Sequence, residues 1–215
     1  MAEFVLNRRA LGRAAALVAT AALTAGALIA SSASAAVETG KPAPAFAALD
    51  THGAPVKLAD YRGKIVVLEW TNDGCPYVRK HYDSGNMQKL QKEAAADGVV
   101  WLTIISSAPG QQGYADGARA DELTKDRGAA PTAVLLDPKG TVGHLYNAKA
   151  TPHMYIVDKT GTLVYQGAID DKPTTDVGDV ATAKNYVSAA LAEVEAGKPV
   201  TKAATVAYGC TIKYD

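Results

Sequence analysis

The sequence predicts an α/β fold in which a central mixed β-sheet is flanked by helices. Three observations carry this. Ile65-Val66-Val67-Leu68 and Val99 to Ile105 are continuous apolar runs rich in β-branched residues, the kind buried on both faces of a sheet. Helical stretches alternate with such runs, which gives a central parallel pair. Two further strand-like segments, Met154 to Val157 and Leu163 to Tyr165, flank Asp158-Lys159-Thr160-Gly161, a hairpin turn that closes the sheet antiparallel.

Each element can be justified in order. Residues 36–45, with Gly40, Pro42 and Pro44, read as an irregular lead-in, and Ala45 to Asp50 as a short strand ended by Thr51-His52-Gly53. Asp60-Tyr61-Arg62-Gly63-Lys64 turns into the first buried strand, which continues to Glu69 and Trp70. The loop Thr71-Asn72-Asp73-Gly74 leads to Cys75-Pro76. Proline is favoured at the first helical position, where its missing N–H would be unpaired anyway, so Cys75 falls at the cap of a helix running through Val78 and His81. Asp83-Ser84-Gly85-Asn86 kinks or restarts that helix; Met87, Leu90 and Ala94 then share one face of a segment stopped by Gly98. Ala108 to Gly128 holds at most one short helix, around Asp121 to Asp126, and Thr132 to Asp137 is a strand. Val180, Ala183, Val187, Ala190, Leu191 and Val194 form an apolar stripe at helical spacing, closed by Gly197 and Pro199. Residues 200–215 are a tail containing Cys210.

Composition excludes several functions. The 215 residues include 22 basic and 22 acidic side chains, so there is no basic footprint for nucleic acid. Apolar residues at 48% and charged ones at 20% fit a packed chain rather than a disordered one. Two cysteines exclude a cysteine-rich scaffold and a four-cysteine zinc site. His52, His81, His144 and His153 are too scattered for a ligand motif, so no metal is expected. No G-x-G-x-x-G or Walker loop occurs, so no organic cofactor is implied. The ten tyrosines take the place of the scarce Phe while tolerating a wet edge.

Residues 1–35 read as an export signal. Arg8, Arg9 and Arg13 precede an uncharged stretch from Ala14 to Val37, and Ala33-Ser34-Ala35 predicts cleavage before Ala36. An uncleaved anchor is the alternative; the length permits it, but the stretch is mostly Ala and contains Thr20, Thr24 and Gly26. Arg8-Arg9-Ala10-Leu11 resembles a twin-arginine motif, so the general secretory and twin-arginine routes both stay open. The mature chain, 36–215, is then one domain, free of the membrane, in the periplasm or outside the cell, where disulfides persist.

These segments carry a family resemblance. Trp70 to Val78 (WTNDGCPYV) resembles the active-site turn of the thioredoxin fold, and Ala150 to Asp158 (ATPHMYIVD) its Thr–cis-Pro step. Asp158 to Asp171 matches the hairpin and exit loop of the redoxin branch, and Tyr208 to Tyr214 (YGCTIKY) is similar to a tail of exported peroxiredoxin-like proteins. The group is that of alkyl hydroperoxide reductase and thiol-specific antioxidant. The resemblance implies a thiol-based oxidoreductase that reduces hydroperoxides or exchanges protein disulfides, served by an external thiol reductant. Cys75 is the expected nucleophile, favoured as thiolate by the helix N-terminus and by Arg79 and Lys80 one turn on. Glu69 matches the buried proton-relay acid of thioredoxins; the plain alternative is an acid pointing outward at the sheet end. Thr151 and Pro152 would present backbone groups to an extended substrate opposite Cys75, unless they form an ordinary trans turn.

Departures matter too. Val78 stands where thioredoxins carry a second cysteine, and Leu68 and Asn72 stand where peroxiredoxins carry Pro and Thr. Asn72 could still hydrogen-bond a substrate. Cys210 is left as the partner: either a resolving thiol or one half of a permanent Cys75–Cys210 staple, which would suit a non-catalytic binding module. A copper-delivery protein is a further alternative, with His153 expected near Cys75.

Overall fold

The computed structural model describes residues 37–215; the expected signal segment lies outside the described residues. In chain order the elements are β1 (Ala47–Asp50), β2 (Pro55–Lys57), β3 (Val66–Trp70), α1 (Pro76–Asp83), α2 (Asn86–Ala96), β4 (Val100–Ile105), α3 (Gly117–Asp126), β5 (Ala133–Leu136), α4 (Thr141–Leu145), β6 (Ala150–Thr151), β7 (His153–Val157), β8 (Leu163–Gly167), α5 (Tyr186–Glu195) and β9 (Cys210–Thr211).

The main sheet has the order β2-β1-β5-β4-β3-β7-β8. β3, β4 and β5 are parallel to one another, while β7 runs antiparallel to β3 and returns as the hairpin strand β8. This is the mixed sheet the sequence predicts, widened by a β1–β2 hairpin on the β5 edge. β6 and β9 form a separate pair.

β3 explains why the sheet separates two cores. Val66, Leu68 and Trp70 point to one face, onto Leu135, Tyr146, Tyr155 and Ile212. Val67 points to the other, which α1, α2 and α5 cover with Val78, Tyr82, Met87, Leu90, Val187 and Leu191. Every residue of β3 and β4 is buried, as their predominantly apolar character demands, with Glu69 and Thr103 the polar exceptions. The buried tyrosines are drier than composition suggests. Tyr146 and Tyr155 are at most 1% exposed, and their hydroxyls donate to Pro44 O (2.7 Å) and Tyr146 O (2.9 Å).

Helix boundaries differ from the sequence reading where caps decide them. α3 begins at Gly117, ahead of the expected start, because the Asp116 carboxylate caps it by accepting from Arg119 N at 2.9 Å. Only glycine fits there: a Cβ at Gly117 would lie 2.1 Å from Thr51 O. α5 is shorter than its apolar stripe. Asn185 caps it, accepting from Ser188 N at 2.9 Å, and Val180 lies in a separate 3-10 segment, Val177–Thr182. The α1–α2 break falls at Ser84-Gly85, with Gly85 at φ +75°. β2, α4 and β9 have no periodic signal at their lengths and are additions to the sequence reading.

Candidate active site

Cys75 is the N-cap of α1, with extended backbone (φ −84°, ψ 120°) and Pro76 at the first helical position. The Thr151–Pro152 peptide bond is cis. That turn brings Thr151 O to the sulfur, and Cys75 Sγ donates to it at 3.1 Å. The sulfur is buried, with no exposed surface on the residue.

Cys210 reaches the same point from the far end of the chain. In the β6–β9 pair, Thr151 is directly opposite Cys210 and Ala150 opposite Thr211. Both cysteines are free thiols, and they are near enough that each influences the other's titration. Burial pushes the Cys75 thiol up. Hydrogen bonds from Thr151, from the Cys210 side chain and backbone and from the Val78 backbone outweigh it, leaving the thiol below its ordinary value. Burial and the hydrogen bond to Cys75 push Cys210 the other way, to about 11. The pair is therefore split into one sulfur that ionises below its ordinary value and one that holds its proton more firmly.

The cations one turn into α1 do not serve the sulfur. Arg79 Nε donates to Asp73 O at 2.9 Å. Lys80 is buried and turned toward Asp170, 3.5 Å from its Oδ2, with both side chains at most 1% exposed. The Tyr208 hydroxyl donates to Asp170 Oδ1 and accepts from Lys80 Nζ at 3.3 Å. It also lies 3.2 Å from His81 Nε2. Since that hydroxyl's proton goes to Asp170, His81 Nε2 carries the donor hydrogen, and its Nδ1 accepts from Asn86 Nδ2 at 2.9 Å. His81 is thus neutral, in keeping with burial depressing it to about 4. This cluster ties α1 and the loop after β8 to the residue two before Cys210. The sequence does not reveal this cluster: Lys80 is expected there to favour the Cys75 thiolate, and His81 is only one of four scattered histidines.

Glu69 is fully buried on the face of β3 that carries α1. Oε1 accepts from Tyr82 Oη at 2.8 Å, and Oε2 from Trp101 Nε1 (2.8 Å), Thr103 Oγ1 (3.0 Å) and Gln91 Nε2 (3.2 Å). Burial raises its pKa against these four donors. The outward-pointing alternative does not hold, and no hydrogen bond among the described residues joins Glu69 to either sulfur.

Asn72 is buried beside the Cys75 loop. Its Oδ1 accepts from Gly74 N at 2.8 Å and its Nδ2 donates to Gln112 O at 3.3 Å, so both ends of the amide shape the loop. His153 turns away from Cys75. Its ring stacks on Tyr155 (centroids 4.5 Å apart), whereas the next residue, Met154, faces the Cys75 core. Alternation along β7 thus removes the ligand that the copper-delivery reading needs, and no cluster of three metal-ligating side chains occurs among the described residues.

A family model described as AhpC/TSA matches residues 39–166, more than half of the chain. The chain belongs to the AhpC/TSA family. It is 29% identical over 128 residues to the thioredoxin-like protein YneN of Bacillus subtilis, spanning 59% of this chain and 69% of that one. An uncharacterised conserved protein of Geobacillus kaustophilus shares the fold with a TM-score of 0.71 at 26% identity, over 83% of this chain and 93% of its own. A candidate thiol:disulfide interchange protein, DsbE, of Chlorobium tepidum aligns with a TM-score of 0.50 at 26% identity, over 61% and 85% of the two chains. This AhpC/TSA member is thus a thioredoxin-fold redoxin, of a family built on thiol–disulfide chemistry. Its β6 precedes residue 166, but Cys210 lies beyond the matched segment.

Proposed function

We propose that this redoxin is an exported dithiol oxidoreductase whose working pair is Cys75 and Cys210, and that it exchanges electrons with disulfide substrates. The observation that carries the reading is the register Thr151↔Cys210, which seats the tail sulfur against the helix-cap sulfur. The pair replaces in space the second cysteine that Val78 displaces from the helix.

The Cys75 thiolate attacks one sulfur of the substrate disulfide and expels the other as a thiolate, leaving a mixed disulfide. Cys210 then loses its proton and attacks the Cys75 sulfur. The second substrate thiol leaves and a Cys75–Cys210 disulfide remains. Two electrons from an external thiol reductant restore the dithiol. Hydrogen bonds from the Thr151 side chain and from the Val78 and Cys210 backbone favour the attacking thiolate, and Asn72 keeps its loop in place.

Hydroperoxide reduction is the second reading, favoured by the AhpC/TSA match. There the Cys75 thiolate attacks the peroxide, whose O–O bond breaks and releases the alcohol; Cys210 then condenses with the Cys75 sulfenic acid, releasing water. Export is supported by the arginines and Ala-x-Ala site of residues 1–35; among the described residues no helix is long and apolar enough to cross a membrane.

The test compares Cys75→Ser and Cys210→Ser with the parent, using a small disulfide and cumene hydroperoxide. Cys75→Ser falls to background with both. Cys210→Ser accumulates a mixed disulfide on Cys75 and turns over slowly. A parent that turns over neither substrate faster than Cys75→Ser, both at background, would mean that the fold serves only as a binding module.

A further inference from the structure

Substrates that are proteins reach a sulfur by laying down an extended segment, and an extended segment needs a free strand edge to pair with. Beside Cys75 that edge is Ala150–Thr151. It is already paired, by this chain's own β9. Thr151 Oγ1 donates to Cys210 O at 3.4 Å, and Ile212 N donates to Lys149 O at 3.2 Å, continuing the contact past the strand.

The segment that fills the edge is fastened on both sides of Cys210. Upstream, the Tyr208 hydroxyl enters the Lys80–His81–Asp170 cluster, and its ring meets Tyr77 edge-on at 5.8 Å. Downstream, Ile212 is buried in the core on the opposite face of the sheet, and Tyr214 Oη donates to Ala148 O at 2.8 Å. Between them Gly209 passes over the cis-proline turn. At φ +134° it adopts a conformation open to glycine, and a Cβ there would stand 1.9 Å from Thr151 O. The YGCTIKY motif therefore reads as a strap: a polar anchor, a close-passing glycine, the thiol, an apolar plug and a second anchor.

We propose that Tyr208–Thr211 occupies the edge an extended protein client would use, so that the strapped redoxin acts on low-molecular-weight disulfides, and that Tyr208 is the specificity-determining anchor. This deepens the reading of Cys75 as the exchanging thiol and rests on it. Cys75 has no exposed surface beneath the strap, whereas Cys210 is only partly buried. A protein client must first lift the tail out of the Tyr208 cluster; a small disulfide needs far less displacement.

The experiment has a readout independent of catalysis. On a Cys210→Ser background, Cys75 is labelled under native conditions with iodoacetamide and, separately, with a polyethylene-glycol maleimide. Tyr208→Phe removes the hydroxyl that joins the charged cluster and should raise the bulky-to-small labelling ratio by about tenfold, the factor expected from losing one charge-assisted hydrogen bond. In the full dithiol protein the same change should raise the rate on insulin disulfides relative to oxidised glutathione by a similar factor. A ratio unmoved by Tyr208→Phe, or a parent that labels equally with both reagents, overturns the proposal. Should Tyr208→Phe fold poorly, amide exchange in the parent decides: the Ile212 amide, which donates to Lys149 O, must be protected well above random coil, and an unprotected one overturns the strap. If no disulfide is turned over by any form, the oxidoreductase reading fails, while labelling and exchange still judge the strap.

Discussion

Two sulfurs of one residue type behave differently because their neighbours differ. Cys75 sits at the start of α1 and collects hydrogen bonds from Thr151, Cys210 and Val78, which together overcome the cost of burying an anion. Cys210 supplies part of that stabilisation and, as its donor, is held protonated, at about 11. The roles of nucleophile and resolving thiol follow from this asymmetry rather than from order in the chain. Alkylation with iodoacetamide followed against pH, with peptide mapping to separate the sites, should show Cys75 ionising first, below the ordinary thiol range. Cys210 should follow only near 11. Coincident inflections, or Cys210 ionising first, would remove the basis for assigning Cys75 the attack.

At the scale of elements, the question is how a tail without regular structure is held in register. β9 is two residues long and cannot hold itself. The Lys80–Asp170 pair supplies the anchorage, linking α1 to the turn after β8, with Tyr208 inserted between them. Removing one partner of such a pair strands a buried charge. Lys80→Met should therefore cost roughly 3–5 kcal/mol in urea unfolding, and adding Asp170→Asn should recover part of the loss. A Lys80→Met cost within about 0.5 kcal/mol would show the pair to be idle. This network also marks where the sequence was hard to read. The Cys75 cap was legible because Pro76 after a polar loop is a local signal, and the Thr151–Pro152 turn was legible from its resemblance to the fold. The β3–β4 core was legible because burial on both faces leaves mostly apolar runs, broken only by Glu69 and Thr103. The roles of Lys80, His81, Asp170 and Tyr208 were not, since their meaning lies in contacts between segments far apart in sequence. One signal was available: Val78 and Tyr82, four apart, fix the buried face of α1, and His81 lies beside them on the helix.

Across the whole molecule, the buried titratable groups set an acid limit on stability. Burial, the larger cause, depresses both His81 and His153 to about 4, from an ordinary value of 6.5. Above 6.5 both are neutral in folded and unfolded chains and contribute no pH dependence. As pH falls below 6.5 the unfolded chain takes up protons that the folded chain refuses until about 4, so stability is lost through that window. Each histidine contributes a slope of about 1.4 kcal/mol per pH unit there. Glu69 works against them. Burial raises its folded pKa above 4.5, so the folded chain binds a proton that the unfolded chain has given up, which adds stability as pH falls toward 4.5. Two histidines against one carboxyl leave a net loss on acidification. Urea unfolding should therefore show lower stability at pH 5 than at pH 7, by at least the order of 1 kcal/mol. Replacing Glu69 with Gln should steepen the fall, because the opposing group is gone. The same substitution places an amide N–H₂ among the donors Trp101, Thr103 and Gln91, so it should also lower stability at pH 7 by about 1–3 kcal/mol. A profile that is flat or rising from pH 7 to pH 5 in the parent would show that the two histidines are not held as neutral rings. It would also undo the tautomer on which the Tyr208 cluster depends.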